Sequence, residues 1–199
     1  MTGHEALHAP EGGAAPAAEP ALPALSALAG HARRLALAAD RTAQWAAISA
    51  LLEQAFGHRL FTALSYLHER QIMRRLYTSD GAISPLGGYK STGNGPWSRH
   101  VLEQGRIYVA HDAGDVRTVF SEAQMLIDRG LCSAFNLPVR YEGRVVGSLN
   151  LLSHAQAYRH ADHALGEIIA GLCAPIFVEE LRITQREAAA IPRADLDQV

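Results

Sequence analysis

Cysteine and charge are scarce in this chain of 199 residues, which has two cysteines and 19% charged residues. Two cysteines exclude a disulfide framework and favour a reducing, cytoplasmic compartment. A formal net charge of -2 gives no electrostatic reason to expect nucleic acid or an anionic membrane as partner. No apolar run approaches the roughly 20 residues that cross a bilayer, and the N-terminus has no signal-peptide pattern. We therefore expect a cytoplasmic globular protein that contacts neither nucleic acid nor membrane.

The composition changes sharply after the first 23 residues, which hold four of the nine prolines and are otherwise mostly Ala, Gly and Glu. Such a segment cannot bury enough apolar surface to offset the entropy of ordering it. We predict a disordered tail over residues 1–23, one domain over 24–186 and a flexible tail over 187–199. A chain of this length can bury a core without disulfides or metals.

Two apolar stripes at helical spacing open the domain. We interpret residues 25–56 as two helices with a break near Asp40, which would cap the second helix before Gly57 ends it; one continuous helix fits the same stripes. The stripes consist of Leu25, Leu28, Ala32 and Leu35, followed by Trp45, Ile48, Leu52 and Phe56.

Grouped strands follow these helices. The pattern predicts a hairpin of strands 61–68 and 72–78, a long loop over 79–96, and a helix over 97–104. A strand over 106–110, a helix over 121–129, a hairpin over 132–152 and a C-terminal helix kinked at Pro175 complete the order. Strands that do not alternate strictly with helices indicate an α+β fold with a mostly antiparallel sheet.

The hairpin over 132–152 has a predicted register. The turn Tyr141-Glu142-Gly143-Arg144 pairs Tyr141 with Arg144. Counting outward then places Val139 opposite Val146, Phe135 opposite Asn150, Asn136 opposite Leu149, and Pro138 opposite Gly147. Proline and glycine inside a sheet need a positional reason, such as an edge, a bulge or the close approach of another backbone.

The same hairpin carries the most specific sequence pattern, Asn-Leu-Pro-Val at 136–139 followed by Gly-Arg-Val-Val-Gly-Ser-Leu-Asn-Leu at 143–151. Together with Gly-Pro-Trp at 95–97, Val-Leu-Glu-Gln-Gly at 101–105 and Val-Ala-His-Asp at 109–112, it resembles a GAF domain over roughly residues 40–185. The resemblance implies a PAS-related fold with a central, mostly antiparallel sheet of five to six strands. It places the terminal helices on one face, where they commonly mediate dimers, and short helices and loops around a small-molecule pocket on the other.

The resemblance also implies which side chains would converge on that pocket. They are a mixture of aromatic and polar residues, as small-ligand sites tend to be: Tyr66, Trp97, His100, Asp112, Phe120, Ser121, Met125, Ser133, Phe135 and Asn150. The larger apolar members are equally explained as core. Asn150 is the sharpest candidate, because an amide on a central strand costs free energy unless a ligand or a backbone group partners it.

Other chemistries fit the residues less well. The segment 87–92 is not a phosphate loop, since Tyr89 rather than glycine precedes Lys90. The polar residues His154, His160, Asp162 and His163 are better explained by a helix start than by a metal, and we predict no cofactor. Members of the family that reduce free methionine-R-sulfoxide need a thiolate and a resolving cysteine near the pocket. Cys132 and Cys173 depart from the positions usual in that branch, and no cysteine occupies a place suited to covalent bilin.

These observations predict a sensor or regulatory domain that binds a small organic ligand non-covalently. It would form a homodimer through its N- and C-terminal helices and act in trans, with the 79–96 segment as a lid. The alternatives are an enzyme, of the methionine sulfoxide reductase type or a hydrolase, and a dimerisation or scaffold domain whose pocket is filled by side chains.

Overall fold

The computed structural model describes residues 25–93, 95–188 and 197–198. Within these ranges the α-helices are α1 (Leu25–Ala36), α2 (Arg41–Phe56), α3 (Ala113–Val119), α4 (Ala123–Asp128) and α5 (His163–Ala188), and a π-helix spans Ser98–Glu103. The strands are β1 (Leu60–Leu67), β2 (Ile72–Thr78), β3 (Tyr89–Ser91), β4 (Tyr108–Ala110), β5 (Ser133–Tyr141), β6 (Arg144–Ser153) and β7 (Asp197–Gln198). The predicted tail 1–23 and most of 187–199 lie outside the described residues.

The strands form one sheet in the order β4-β5-β6-β1-β2-β3-β7. The six strands from β4 to β3 pair antiparallel, and the short β7 pairs parallel with β3. The α+β class and the antiparallel sheet are therefore confirmed. No helix among the described residues is long and apolar enough to span a membrane.

The break between the first two helices is confirmed at Asp40. Its side chain accepts a hydrogen bond from the Ala43 backbone N–H at 2.8 Å, as an N-cap residue does. Gly57 follows α2 with φ of 68°, a backbone conformation that favours glycine. Local capping chemistry thus defines both ends of α2.

The predicted register of the β5–β6 hairpin is correct at its turn and wrong beyond it. Tyr141 pairs with Arg144, but a bulge between Val139 and Arg140 shifts the remaining pairs by one residue. As a result Asn136 pairs with Asn150, and Phe135 pairs with Leu151. A one-residue shift changes which residues share a face of the sheet, so Asn150 does not lie opposite Phe135.

The structure explains why a glycine lies inside β6 at position 147. A Cβ at this position would overlap the Leu64 carbonyl oxygen on β1 and the Phe177 ring on α5. The absence of a side chain therefore lets α5 approach the sheet closely, next to the bulge.

The sheet separates two layers. On one face, α2 and α5 bury the main core, where Trp45 of α2 makes an edge-to-face contact with Phe177 at 5.7 Å between ring centroids. On the other face lie the π-helix, α3 and α4 with smaller apolar clusters. Three of these elements escaped the sequence analysis: β3, inside the predicted loop 79–96, α3, between β4 and α4, and the short β7, inside the predicted tail 187–199.

Candidate functional site

A cavity lies on the face of the sheet opposite α5. It encloses about 120 Å³, many times the roughly 10–15 Å³ that one buried water needs. Strands β1, β2, β3 and β6, the segment 84–88, Trp97 and the connection between α3 and α4 surround it. Its walls are mainly apolar, formed by Leu60, Leu64, Met73, Trp97, Val119, Phe120, Leu126 and Leu152.

Strand alternation explains which side chains reach the cavity. Along β1, Leu60, Thr62 and Leu64 line it, whereas the intervening Phe61 and Ala63 belong to the core under α5. Successive side chains of a strand point to opposite faces. On β6 the same period places Asn150 and Leu152 in the cavity wall.

Two buried amides on neighbouring strands form a polar patch on this face. The Trp97 indole N–H donates a 3.0 Å hydrogen bond to Asn136 Oδ1, which leaves Asn136 Nδ2 without a partner. The Thr62 carbonyl oxygen can only accept, so the Asn150 group facing it at 3.5 Å is Nδ2. Asn150 is 4% exposed, and its Oδ1 has no hydrogen-bond partner.

Three charged side chains line the cavity: Arg75, Lys90 and Glu122. Lys90 Nζ and Glu122 Oε1 form an ion pair at 3.2 Å. Arg75 donates from one terminal nitrogen to the Pro85 carbonyl oxygen at 2.9 Å, while its buried Nε has no partner. Burial lowers the pKa of the Arg75 guanidinium, and the Glu122 carboxylate partly opposes that shift.

The segment between β2 and β3 borders the cavity. Gly87 and Gly88, which line it, have φ of 81° and 73°, values that L side chains rarely adopt. Ser84 is held by a backbone hydrogen bond to the Asp80 carbonyl oxygen at 3.0 Å. Glycine conformations therefore set the path by which the chain passes the cavity and enters β3.

The family model described as GAF domain matches residues 38–178, which is more than half of the chain. The chain belongs to the GAF domain family. No curated protein matches it.

Solved structures similar to this GAF domain include other GAF domains. The GAF domain of an Acinetobacter phosphoenolpyruvate-protein phosphotransferase superimposes with a TM-score of 0.64 at 11% identity, covering 81% of this chain and 96% of that chain. The GAF domain of a Bacillus halodurans two-component sensor histidine kinase has a TM-score of 0.57 at 17% identity, with 73% and 98% covered. A free methionine-R-sulfoxide reductase from Neisseria meningitidis has a TM-score of 0.58 at 19% identity, with 81% and 89% covered. At these identities the likeness shows the fold alone.

Four of the ten predicted site residues of this GAF domain line the cavity: Trp97, Phe120, Ser121 and Asn150. Trp97 directly precedes the π-helix, Phe120 and Ser121 lie between α3 and α4, and Asn150 is on β6. Whether any of them contacts a ligand stays a prediction.

Three of the other six have local structural roles. Asp112 is the N-cap of α3 and accepts hydrogen bonds from the backbone N–H groups of Gly114 and Asp115 at 2.7 and 3.1 Å. His100 Nε2 lies 2.9 Å from the Ile107 carbonyl oxygen. The Ser133 hydroxyl donates to the His154 carbonyl oxygen at 2.7 Å.

The remaining three pack in apolar clusters. Phe135 lies on the α5 side of the sheet, with its ring against Phe56 at 5.1 Å. Tyr66 is buried with Met73 and Trp97 beside the cavity, and Met125 packs in the cluster around α4. None of these six residues lines the cavity.

The sequence analysis missed the charged residues of the site. Arg75 follows Met73 at strand period on the cavity face of β2, which is a signal available in the sequence. Lys90 lies in the glycine-rich segment that the sequence analysis rejected as a phosphate loop and interpreted as part of a lid. The pairing of Lys90 with Glu122 depends on the tertiary structure and has no local signal.

Neither cysteine of this GAF domain lines the cavity. Cys132 is half-buried next to β5, and Cys173 is fully buried on α5, where desolvation raises the pKa of its thiol to about 12. Within the part of the chain that the structure describes, no group of three or more His, Cys, Asp and Glu side chains is placed to hold a metal ion.

Proposed function

We propose that this GAF domain is a sensor or regulatory domain that binds a small organic ligand non-covalently in the cavity between β1, β2, β6 and the α3–α4 connection. The bound state would pass through the segment preceding β3 and through α5 to a second copy of the chain, and the dimer would act in trans. Membership of the family supports the sensor class, the cavity supports ligand binding, and the contacts and exposed surface of α5 support the link to a second copy.

The observation that carries the binding proposal is the unpartnered Asn150 Oδ1. A buried acceptor without a partner costs roughly 1–3 kcal/mol, and this one belongs to a side chain that lines an apolar cavity. An N–H or O–H group of a ligand would supply the missing hydrogen bond. A cavity with mainly apolar walls and a few placed polar groups is what small-molecule sites present.

A chain of contacts links the cavity with α5. Lys90 lines the cavity, and its neighbour Tyr89 on β3 donates a hydrogen bond to Glu187 Oε2 of α5 at 2.5 Å. Arg74 on β2 lies 3.6 Å from Glu180 and 3.8 Å from Glu187. A ligand that moves β3 would therefore also change what the C-terminal half of α5 contacts.

An exposed apolar stripe on α5 supports the dimer proposal. Ala164, Ile168, Gly171 and Pro175 are all exposed and are spaced by four, three and four residues, which places them on one side of the helix. Ile168 is 52% exposed. We propose that this stripe, together with α1, packs against the same surface of a second copy.

The binding proposal is tested by native mass spectrometry of protein purified from its expression cells, comparing the wild type with Asn150→Leu. We expect a small molecule that dissociates on denaturation to accompany the wild type and to be lost from the variant. The leucine removes a buried amide whose Oδ1 is unpaired and whose Nδ2 makes only a long 3.5 Å contact, so the variant should fold about as stably. Thr184→Val is the matched control, because Thr184 is a buried polar residue whose hydroxyl lies 3.2 Å from that of Ser65 on the α5 side.

Two results would contradict the proposal. Asn150→Leu should lose the ligand if the amide contacts it, so an equal amount of the same molecule on both proteins would remove Asn150 from the site. A wild-type spectrum without any bound molecule, under conditions that preserve the fold, would favour a dimerisation domain that needs no ligand.

A further inference from the structure

We infer that the ligand of the cavity is a small organic carboxylate with an N–H or O–H donor at its other end. This inference rests on the proposed function and deepens it, because it names the chemistry that the charged groups of the cavity would recognise.

The charge balance of the cavity is the first step. Its described lining contains two cations, Arg75 and Lys90, and one carboxylate, Glu122. The remaining lining is neutral and mainly apolar, so it screens the excess positive charge less than water would. A ligand with a single negative charge would neutralise this lining.

Arg75 is the second step, because its bonding is incomplete. Its guanidinium is held by the Pro85 carbonyl oxygen, a neutral acceptor, and its buried Nε has no partner. A guanidinium offers two parallel N–H groups that match the two oxygens of a carboxylate. The free Nε edge of Arg75 is therefore a position at which a ligand carboxylate would form charge-assisted hydrogen bonds.

Glu122 is the one carboxylate in the described lining of the cavity, and it would oppose the binding of an anion. Its side chain is 54% exposed and pairs with Lys90 at 3.2 Å. An exposed ion pair of this kind contributes at most about 1 kcal/mol and is easily exchanged. A ligand carboxylate would compete with Glu122 for Lys90 and be repelled by it, so Glu122 would weaken binding of the anion.

The register of the sheet gives the shape of the ligand. Arg75 pairs with Leu64 on one side of β1, and Asn150 pairs with Thr62 on the other side. Their backbones are two strand spacings apart across the sheet and two residues apart along it, about 12 Å in all, with the side chains of Thr62 and Leu64 between them. The carboxylate would lie toward Arg75, and the donor at the other end of an apolar skeleton would meet Asn150 Oδ1.

The test compares three probes in equilibrium binding measured by ligand-observed NMR. They are 4-hydroxybenzoate, which has both end groups; 4-hydroxybenzamide, which keeps the shape without the charge; and benzoate, which lacks the hydroxyl donor. We expect 4-hydroxybenzoate to bind on the order of tenfold more tightly than the amide, the ratio that one charge-assisted hydrogen bond supplies.

Two variants with opposite expected effects assign the charge preference to the cavity. Arg75→Gln should weaken the binding of 4-hydroxybenzoate on the order of tenfold and change the affinity for the amide by less than about threefold. Glu122→Gln should strengthen 4-hydroxybenzoate about two- to fivefold. Arg144→Gln is the control for net charge, because Arg144 is 78% exposed and lies 3.8 Å from Glu69 on the surface. This variant should leave the affinities for 4-hydroxybenzoate and the amide unchanged.

The outcomes separate this inference from the proposed function. Equal affinity for the acid and the amide would overturn the carboxylate assignment and leave a ligand-binding cavity. A carboxylate preference that survives Arg75→Gln would overturn it as well. Failure of all three probes to bind, with the folded state verified in the same spectra, would count against the carboxylate and the binding function together.

Discussion

At the scale of single residues, polar side chains of similar chemistry either cap a helix or line the cavity, and the tertiary structure determines which role each one has. Asp112 and Asn150 were both predicted as pocket residues from the family resemblance, and Asn150 was favoured because it is a polar residue on a central strand. Asp112 instead has its hydrogen bonds satisfied by the start of α3, whereas Asn150 Oδ1 remains unpaired. An Asp one residue before a short helix carries a local capping signal, and that signal explains the position of Asp112 without a ligand.

The two cysteines give a prediction at this scale. Burial raises the pKa of the Cys173 thiol to about 12, so it stays protonated and unreactive in the folded chain at pH 8, because the thiolate is the nucleophile. Cys132 is only half-buried. We expect iodoacetamide at pH 8 to modify one thiol per folded chain, at Cys132, and both thiols in denaturant, as measured by intact mass.

A cysteine variant tests the alternative that the protein is an enzyme with a reactive thiol. Cys132→Ser should abolish labelling of the folded chain and leave ligand binding unchanged, because Cys132 does not line the cavity. Labelling of Cys173 in the folded chain would contradict its burial, and loss of bound ligand in Cys132→Ser would show that the Cys132 thiol contributes to the site.

At the scale of elements, periodicity predicted most helices and strands, and the misses have physical causes. The stripes of α2 and α5 and the two hairpins were visible because their buried faces repeat at the helix or strand period. Strand β3 has three residues and follows two glycines, too little sequence for a period to show. The bulge between Val139 and Arg140 was missed because counting outward from the turn assumes an uninterrupted ladder, and the extra residue of a bulge breaks that count.

The link between β3 and α5 gives the prediction at this scale. Tyr89→Phe removes the hydrogen bond to Glu187 without changing the ring, so the amide protons of the last turns of α5 should exchange about two- to fivefold faster. Hydrogen exchange read by mass spectrometry on peptides covering 180–188 measures this. Tyr141→Phe, which changes another exposed tyrosine at the tip of the β5–β6 hairpin, is the control and should leave those peptides unaffected.

The pH dependence of the link has a defined sign. Burial, and then the hydrogen bond to Glu187, raise the pKa of Tyr89 to about 12, above its ordinary value near 10. The contribution to stability is therefore complete below pH 10 and is lost as the pH rises through 12. Peptides 180–188 of the wild type, corrected for intrinsic exchange, should keep their protection advantage over Tyr89→Phe up to pH 10; an equal rate in both proteins at pH 8 would contradict the link.

At the scale of the whole molecule, the sheet separates the face that holds the cavity from the face that packs against α2 and α5, and the proposed function assigns ligand binding to the first and transmission to the second. The cavity and its charged groups lie on one side, and α2 and α5 cover the other. Arg41 of α2 ties the two helices together through ion pairs with Glu179 and Glu180 at 2.6 and 2.7 Å, and Glu180 also lies near Arg74 of β2. A displacement of the sheet edge would thus be shared by both helices. The family resemblance predicted this division of faces, but the charges that connect them are long-range pairs that no local pattern marks.

The assembly gives the last prediction. Burying the stripe Ala164, Ile168, Gly171 and Pro175 against a second copy would remove apolar surface from water at roughly 25 cal/mol per Å², and the small residues in the stripe would let the two helices approach closely. Ile168→Glu places a charge in the middle of that contact, so we expect sedimentation velocity at micromolar concentration to show a dimer for the wild type and a monomer for the variant. Leu86→Glu is the matched control, because Leu86 is 61% exposed but lies in the segment before β3, away from α5. A monomeric wild type, or a variant that stays dimeric, would place the signalling contact elsewhere and leave the stripe on α5 without a role in self-association.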